Sequence, residues 1–173
     1  LKTAKKIKNI DNILISTDDE KIIKHVNENY KNIITLSRPK YLARGKSSSY
    51  SSSIHAIKWY SKNISKLENI ILLQPTSPFR VVSKINLAFD LFFKNKEKSI
   101  VSVSPYKFLK KNKSDVNKIT IKQKQFYING NFYIISLVNL KKFKSFHSKE
   151  SLYFINNTFK ESIDIDTRFD WLQ

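Results

Sequence analysis

The sequence predicts an α/β protein with a three-layer Rossmann-like fold and a mainly parallel sheet. Short β-branched runs alternate with stretches of helical periodicity, the pattern of βαβ units. The apolar runs are brief and end abruptly in polar turn residues, as at Ile70-Ile71-Leu72-Leu73 followed by Gln74-Pro75-Thr76-Ser77-Pro78. The polar residues with chemical potential sit just after those runs, where folds of this class bind their ligands.

Taken in order, Leu1 to Lys8 reads as the tail of a helix and Asn12 to Ser16 as a strand. Asp18 or Asp19 is placed to cap a helix reaching about Asn29. Asn32 to Leu36 is a second strand, and Arg38 to Lys46 a loop with Pro39 and Gly45. Ser49 to Lys62 carries Ile54, Ala56, Ile57 and Tyr60 and reads as a helix. Ile70 to Gln74 reads as a buried central strand. Ser83 is placed to cap a helix whose apolar face holds Ile85, Ala88, Phe89, Phe92 and Phe93. Ser99 to Ser104 is the next strand. Beyond Lys107 the pattern turns irregular. Asn117 to Lys122 and Phe126 to Ile135 read as strands, Leu137 to Phe143 as a short helix, and Leu152 to Ile155 and Ser162 to Asp166 as extended pieces, some of them antiparallel.

Composition narrows the function. There is no Cys among the 173 residues, so disulfide and thiolate-metal chemistry are excluded. No apolar run approaches the roughly 18 residues needed to span a bilayer, and no signal peptide is visible. A cytoplasmic protein with no membrane partner is expected. The net charge of +18 suggests nucleic acid, but only Arg38, Arg44, Arg80 and Arg168 of the 32 basic residues are Arg. Nucleic-acid readers favour the Arg fork. The lysines are spread along the chain, with modest clusters at Lys107 to Lys113 and Lys141 to Lys144. No nucleic-acid partner is expected, and a positive surface equally suits a nucleoside triphosphate and an acidic sugar.

Ser162-Ile163-Asp164-Ile165-Asp166 is the sharpest chemical feature. In a strand, Asp164 and Asp166 share one face and Ile163 and Ile165 the other. Two neighbouring carboxylates repel unless neutralised; Mg²⁺ does that while holding substrate phosphates. Two solvated acids on an exposed face are the alternative. Gln74, Thr76, Ser77 and Arg80 sit at the carboxyl edge of a strand in a turn stiffened by two prolines. They suit a sugar or base edge, or equally a turn that caps the next helix. Arg38 follows the second strand as a candidate phosphate ligand. The serines from Ser47 to Ser49 either cap the next helix or join a phosphate site. Asn129-Gly130 signals a hairpin turn, or places Asn129 on a substrate that Gly130 lets approach closely. His25, His55 and His147 show no triad or metal-ligand spacing and read as structural.

In order, Ser16-Thr17-Asp18, Arg38-Pro39 with Leu42-Ala43, LLQPTSP at Leu72 to Pro78 with Arg80, Val101-Ser102-Val103-Ser104, Asn129-Gly130 with Tyr133-Ile134, and SIDIDT at Ser162 to Thr167 with Asp170 resemble the acylneuraminate cytidylyltransferases, or CMP-sialic acid synthetases. The resemblance runs from about Ala4 to Asp170. It implies a Mg²⁺-dependent enzyme joining CTP and a nonulosonic sugar acid into a CMP-sugar with release of pyrophosphate. It places Asp164 and Asp166 on the metal, Arg38 and Ser49 on the nucleotide, and Gln74, Asn129 and Tyr133 on the sugar acid. It also implies a homodimer built on an extension that is short here, at residues 105–128.

The chain departs from that pattern in several places. Its only glycines are Gly45 and Gly130, and it has no initiating Met. We therefore expect a single cytidylyltransferase-type domain over 1–173 that lacks the first strand, Gly-rich loop and helix, and that is inactive alone. Tyr127 and Ile128 stand before Asn-Gly where a basic residue is usual, Asn131 follows where a small one is usual, and Gly45-Lys46 occupies a usually acidic position. A non-catalytic homologue that binds sugar or a partner is the alternative function.

Overall fold

The computed structural model describes residues 1–44, 47–95, 99–109 and 118–171. Gly45-Lys46, most of the Lys107 to Lys113 cluster and the middle of the 105–128 extension lie outside the described residues. The chain divides into two compact units, Leu1–Glu68 and Asn69–Gln173.

In the first unit, strands β1 (Ile13–Thr17) and β2 (Ile33–Ser37) pair in parallel, from Ile13 opposite Ile33 to Thr17 opposite Ser37. Helix α1 (Glu20–Asn29) connects them. Asp19 is its cap: the side chain accepts from the Lys21 amide at 2.8 Å. That satisfies one of the amides a helix start leaves without an intrahelical partner. Val26 is the buried anchor of α1. Helix α2 (Ser49–Asn63) starts from Ser48, whose hydroxyl accepts from the Ser51 amide, and buries Ile57 and Tyr60. The Tyr60 hydroxyl accepts from Asn12 Nδ2 at 2.8 Å, tying α2 to the approach to β1. The expected helix over Leu1 to Lys8 is a single 3-10 turn, Ala4–Lys6. Only Ile7 there is buried, too little apolar surface to hold a longer helix.

The second unit is a sheet in the order β3-β6-β4-β7, with β5 also on β6. Its strands are β3 (Asn69–Leu72), β4 (Ile100–Pro105), β5 (Lys118–Ile121), β6 (Lys124–Ser136) and β7 (Leu152–Ile155). β3 and β4 both run antiparallel to β6, and β7 runs parallel to β4. The strands β3, β4 and β7 thus share one direction, as a mainly parallel sheet requires, with β6 reversed between two of them. The buried central strand is therefore β6, not the Ile70 to Gln74 run. β3 is half-buried along its length and, among the described residues, pairs only with β6.

Helix α3 (Val82–Lys94) buries Ile85, Ala88, Phe89 and Phe92, the i, i+3, i+4, i+7 stripe of an amphipathic helix. Phe93 falls off that stripe and is exposed, stacking on Phe89 at 6.1 Å. The cap of α3 is Val81, not Ser83, and it offers no side-chain acceptor. Helix α4 (Leu137–Phe143) starts from Ser136 and buries Leu140. A four-residue helix, α5 (Arg168–Trp171), ends the described chain.

Asn129-Gly130 is no hairpin turn. The hairpin is between β5 and β6, where Ile121 pairs with Lys124 across Lys122-Gln123, both at positive φ. Asn129-Gly130 lies inside β6 at a bulge. Between one pair of partners and the next, β4 runs from Val101 to Val103 while the antiparallel β6 runs back from Tyr133 to Ile128. Residues 129–132 of β6 thus stand against Ser102 alone, a surplus of three, and Gly130 takes the positive φ of +71° that such a bulge needs. An Asn-Gly pair suits a turn and a bulge alike, and the distant partner β4 decides between them.

Candidate functional site

In the first unit Arg38 and Asp18 meet where β1 and β2 end. Arg38 follows β2, and its amide donates to the Thr17 carbonyl at 2.8 Å. Its Nη2 lies 3.6 Å from Oδ1 of Asp18, the residue after β1. The Arg38 Nε is buried with no hydrogen-bond partner, as is the Ser16 hydroxyl. A guanidinium at the carboxyl end of parallel strands is a candidate ligand for an oxyanion. Ser49 is the exposed first residue of α2, while the capping role belongs to Ser48.

In the second unit three segments meet: the loop after β3, the bulge of β6, and the chain from residue 158 to 170. The β3 loop is held by Arg80, whose Nε donates to the Asn131 carbonyl at 2.6 Å and whose Nη2 donates to the Gln74 carbonyl. The Ser77 amide closes the turn onto the Gln74 carbonyl at 3.2 Å. Gln74 faces Gly130 so closely that a Cβ there would stand 2.7 Å from its Oε1 and 3.3 Å from the Ser77 hydroxyl. This close approach is why position 130 carries no side chain.

The bulge is held by side chains in place of ladder bonds. Ser102 and Ser104 lie on one face of β4, alternating with Val101 and Val103. The Ser102 hydroxyl donates to Asn129 Oδ1 at 2.6 Å and accepts from the Phe132 amide at 2.9 Å. Asn129 Nδ2 donates to the Ser104 hydroxyl at 2.8 Å, and Asn129 Oδ1 also accepts from the Asn131 amide at 3.0 Å. Asn129 and Ser77, both expected on the substrate, are thus interior: their polar atoms answer other buried groups, Ser77 donating to the Asn129 carbonyl at 3.4 Å.

Ser162 to Asp166 is extended but is not a ladder strand. A 3-10 turn, Lys160–Ser162, precedes it, and one backbone bond joins it to the β3 loop, from the Ile165 amide to the Thr76 carbonyl at 2.7 Å. Ile163 and Ile165 are half-buried, not core. Asp164 is half-buried and Asp166 exposed, so the two carboxylates stand in different surroundings. Asp170 orders the chain beyond them. Its Oδ2 accepts from the amides of Asp166 and Thr167 at 3.1 and 2.9 Å, while its own amide donates to the Thr167 hydroxyl, a capping box on α5.

Asp164 is felt by two neighbours. Burial pulls the Arg80 pKa down to about 10, and the negative charge of Asp164 partly opposes that shift. Burial pushes Tyr133 up to about 12, and Asp164 adds to it. At neutral pH the group is therefore a charged guanidinium, a neutral phenol and Asp164, beside the Gln74 amide. Such a set offers donors to an anionic, hydroxylated ligand. Among the described residues no cluster of three or more His, Cys, Asp or Glu side chains is placed to hold a metal ion. Two oxygen donors are nevertheless what Mg²⁺ takes from a protein when phosphates and water complete its shell.

The sequence reading assigned no role to Ser102, Ser104, Asn131, Glu161 or Lys84. The Ser-Val alternation of β4 was the one available signal for the serines. Buried Glu161 accepts from Lys84 Nζ and from the Thr158 hydroxyl, each at 2.6 Å. No local pattern foretells a salt bridge between residues so far apart in sequence.

No protein-family model matches the chain. It is 30% identical, over 93% of its length and 75% of the relative's, to CMP-N,N'-diacetyllegionaminic acid synthase of Legionella pneumophila subsp. pneumophila strain Philadelphia 1. Among solved structures it is similar to CMP:2-keto-3-deoxy-manno-octonic acid synthetase complexed with CTP, with a TM-score of 0.62 at 10% identity, covering 91% of this chain and 76% of that one. It is also similar to 4-diphosphocytidyl-2C-methyl-D-erythritol synthase from Anaerococcus prevotii DSM 20548, with a TM-score of 0.59 at 17% identity, covering 99% and 83%. The shared fold is the α/β, Rossmann-like fold of nucleotidyltransferases. No helix among the described residues is long and apolar enough to cross a membrane.

Proposed function

This chain belongs to the acylneuraminate cytidylyltransferase family of CMP-sugar-acid synthetases, and from that premise we propose that its substrates are CTP and a nonulosonic acid of the sialic or legionaminic type. The anomeric hydroxyl of the sugar acid attacks the α-phosphorus of CTP. A new P–O bond forms to the sugar, the bond to the bridging oxygen breaks, and pyrophosphate leaves.

The observation that carries this reading is the grouping of Asp164 with Arg80 and Tyr133, beside a loop pinned to Thr76. Arg80 and the neutral phenol of Tyr133 offer donors to the sugar carboxylate and hydroxyls, and Gln74 offers both donor and acceptor. Ser77, Thr76 and Asn129 hold these groups in place. Arg38, with its unanswered Nε, and the exposed Ser49 meet the phosphates of the nucleotide. Asp164 and Asp166 would hold Mg²⁺ together with substrate phosphates and water. When bound, the ion supplies positive charge against the triphosphate. The rest of the catalysis is positioning and preorganised charge.

The test is Mg²⁺-dependent release of pyrophosphate from CTP, with sialic and legionaminic acids offered separately to the full-length protein. The Asp164→Ala, Asp166→Ala double variant should lose at least about a hundredfold in kcat while keeping its unfolding transition. Turnover that survives in that variant, or a folded wild type that binds these acids without releasing pyrophosphate, sinks the reading.

A further inference from the structure

We propose that Asn131 is a positioning residue that sets the segment carrying Asp164 and Asp166 against the β3 loop. The inference rests on the assignment of those carboxylates to the reaction. Asn131 is almost wholly buried. Its Nδ2 donates to the Phe79 carbonyl at 2.9 Å and to the Glu161 carbonyl at 3.2 Å. Its own carbonyl accepts from Arg80 Nε, and its amide donates to Asn129 Oδ1. One side chain thus bridges the β3 loop and the turn that feeds Ser162 to Asp166, from a strand belonging to neither.

The grip on Glu161 lies just upstream of Asp164, and Asp170 grips the chain just downstream of Asp166. Between them the Ile165 amide meets the Thr76 carbonyl. The far side of the same turn is held by Lys84 through the Glu161 carboxylate at 2.6 Å. A small side chain at 131 would leave the Phe79 and Glu161 carbonyls without this shared donor. The carboxylate segment would keep its Thr76 and Asp170 anchors, the Lys84–Glu161 bridge and the Tyr127 hydroxyl on the Ser162 carbonyl at 3.4 Å, and lose the upstream tie that links it to the β3 loop through one side chain. A pair of carboxylates that is to hold one ion must be placed to within a fraction of an ångström, so the loss should register at Asp164.

The experiment compares wild type, Asn131→Ala and Lys84→Met in the full-length protein, by Mg²⁺ titration of turnover and by amide hydrogen exchange. For Asn131→Ala the expected result is a kcat lower by roughly tenfold and a Mg²⁺ half-saturation raised about fivefold, with the KM for CTP nearly unchanged. Exchange at the Ile165 amide should quicken roughly tenfold while the β1 and β2 amides keep their protection. Lys84→Met should move the same quantities in the same direction by about two- to threefold, and it decides the matter if Asn131→Ala does not fold. A residue that only stabilised the fold would quicken core amides together and leave the Mg²⁺ half-saturation of the folded fraction where it was; that outcome overturns the proposal. Asp164→Asn runs alongside. If it keeps wild-type Mg²⁺ dependence, the assignment of Asp164 fails, and exchange at Ile165 still judges the role of Asn131 by itself.

Discussion

The two units treat their polar groups in opposite ways. In Leu1–Glu68 the candidate groups stay loosely engaged: Asp18 and Ser49 are exposed, and half-buried Arg38 keeps its Nε unanswered. Around the bulge of Asn69–Gln173 the polar side chains answer one another, with Asn129, Asn131, Ser77, Ser102 and Ser104 all buried and bonded. Open groups can meet a ligand directly but add little to the fold. Closed networks hold a backbone shape, here the bulge at Gly130, and act on a ligand through it.

The largest test of that contrast is Asn129→Ala. It strips partners from Ser102, Ser104 and the Asn131 amide at once, and should cost about 2–3 kcal/mol in urea unfolding. A loss near zero would mean the network is ornamental. Gly130→Ala comes next: the left-handed backbone alone disfavours a side chain by about 1–2 kcal/mol. The new Cβ must also push Gln74 Oε1 aside, so kcat/KM for the sugar acid should fall further than stability explains. Arg38→Ala should change stability by less than about 1 kcal/mol, since its partner Asp18 is largely solvated. Its KM for CTP should nevertheless rise roughly tenfold. If Arg38→Ala unfolds the protein, the contrast between open and closed groups fails.

The smallest effect needs alkaline solution. The folded pKa of Tyr133, about 12, lies above the ordinary tyrosine value near 10. Its contribution is therefore whole below pH 10 and is lost as pH rises through 12. Tyr133→Phe removes that loss, so its alkaline unfolding midpoint should move upward relative to wild type.

What could be read from the sequence follows the same division. Asp19 as a helix cap, the β1-α1-β2 order, the span of α4 and the apolar stripe of α3 depend on neighbours a few residues away, and each was legible. The bulge at Asn129-Gly130, the hairpin at Lys122-Gln123 and the central place of β6 depend on pairing between distant segments. The positive φ of Lys122 and Gln123 carries no glycine signal at all. At the candidate site, the SIDID spacing singled out Asp164 and Asp166 as candidates but did not foretell their surroundings. It forecast a paired strand, whereas the segment has a single backbone tie to Thr76 and leaves Asp164 half-buried and Asp166 exposed.

The reversed strand also sets an order of assembly. β1 and β2 can pair as soon as the short helix between them has left the ribosome. Among the described residues β3 pairs with none of the chain that immediately follows it; residues 69–72 meet residues 133–136, which are made much later. β4 likewise waits for β6. Until that strand is synthesised, the apolar edges of β3 and β4 stand open, and long-range pairing of this kind is slow and exposed to misassembly. During synthesis, then, the exposed stretch lasts until residue 124 and beyond have emerged, and a ribosomal pause before that point would prolong it.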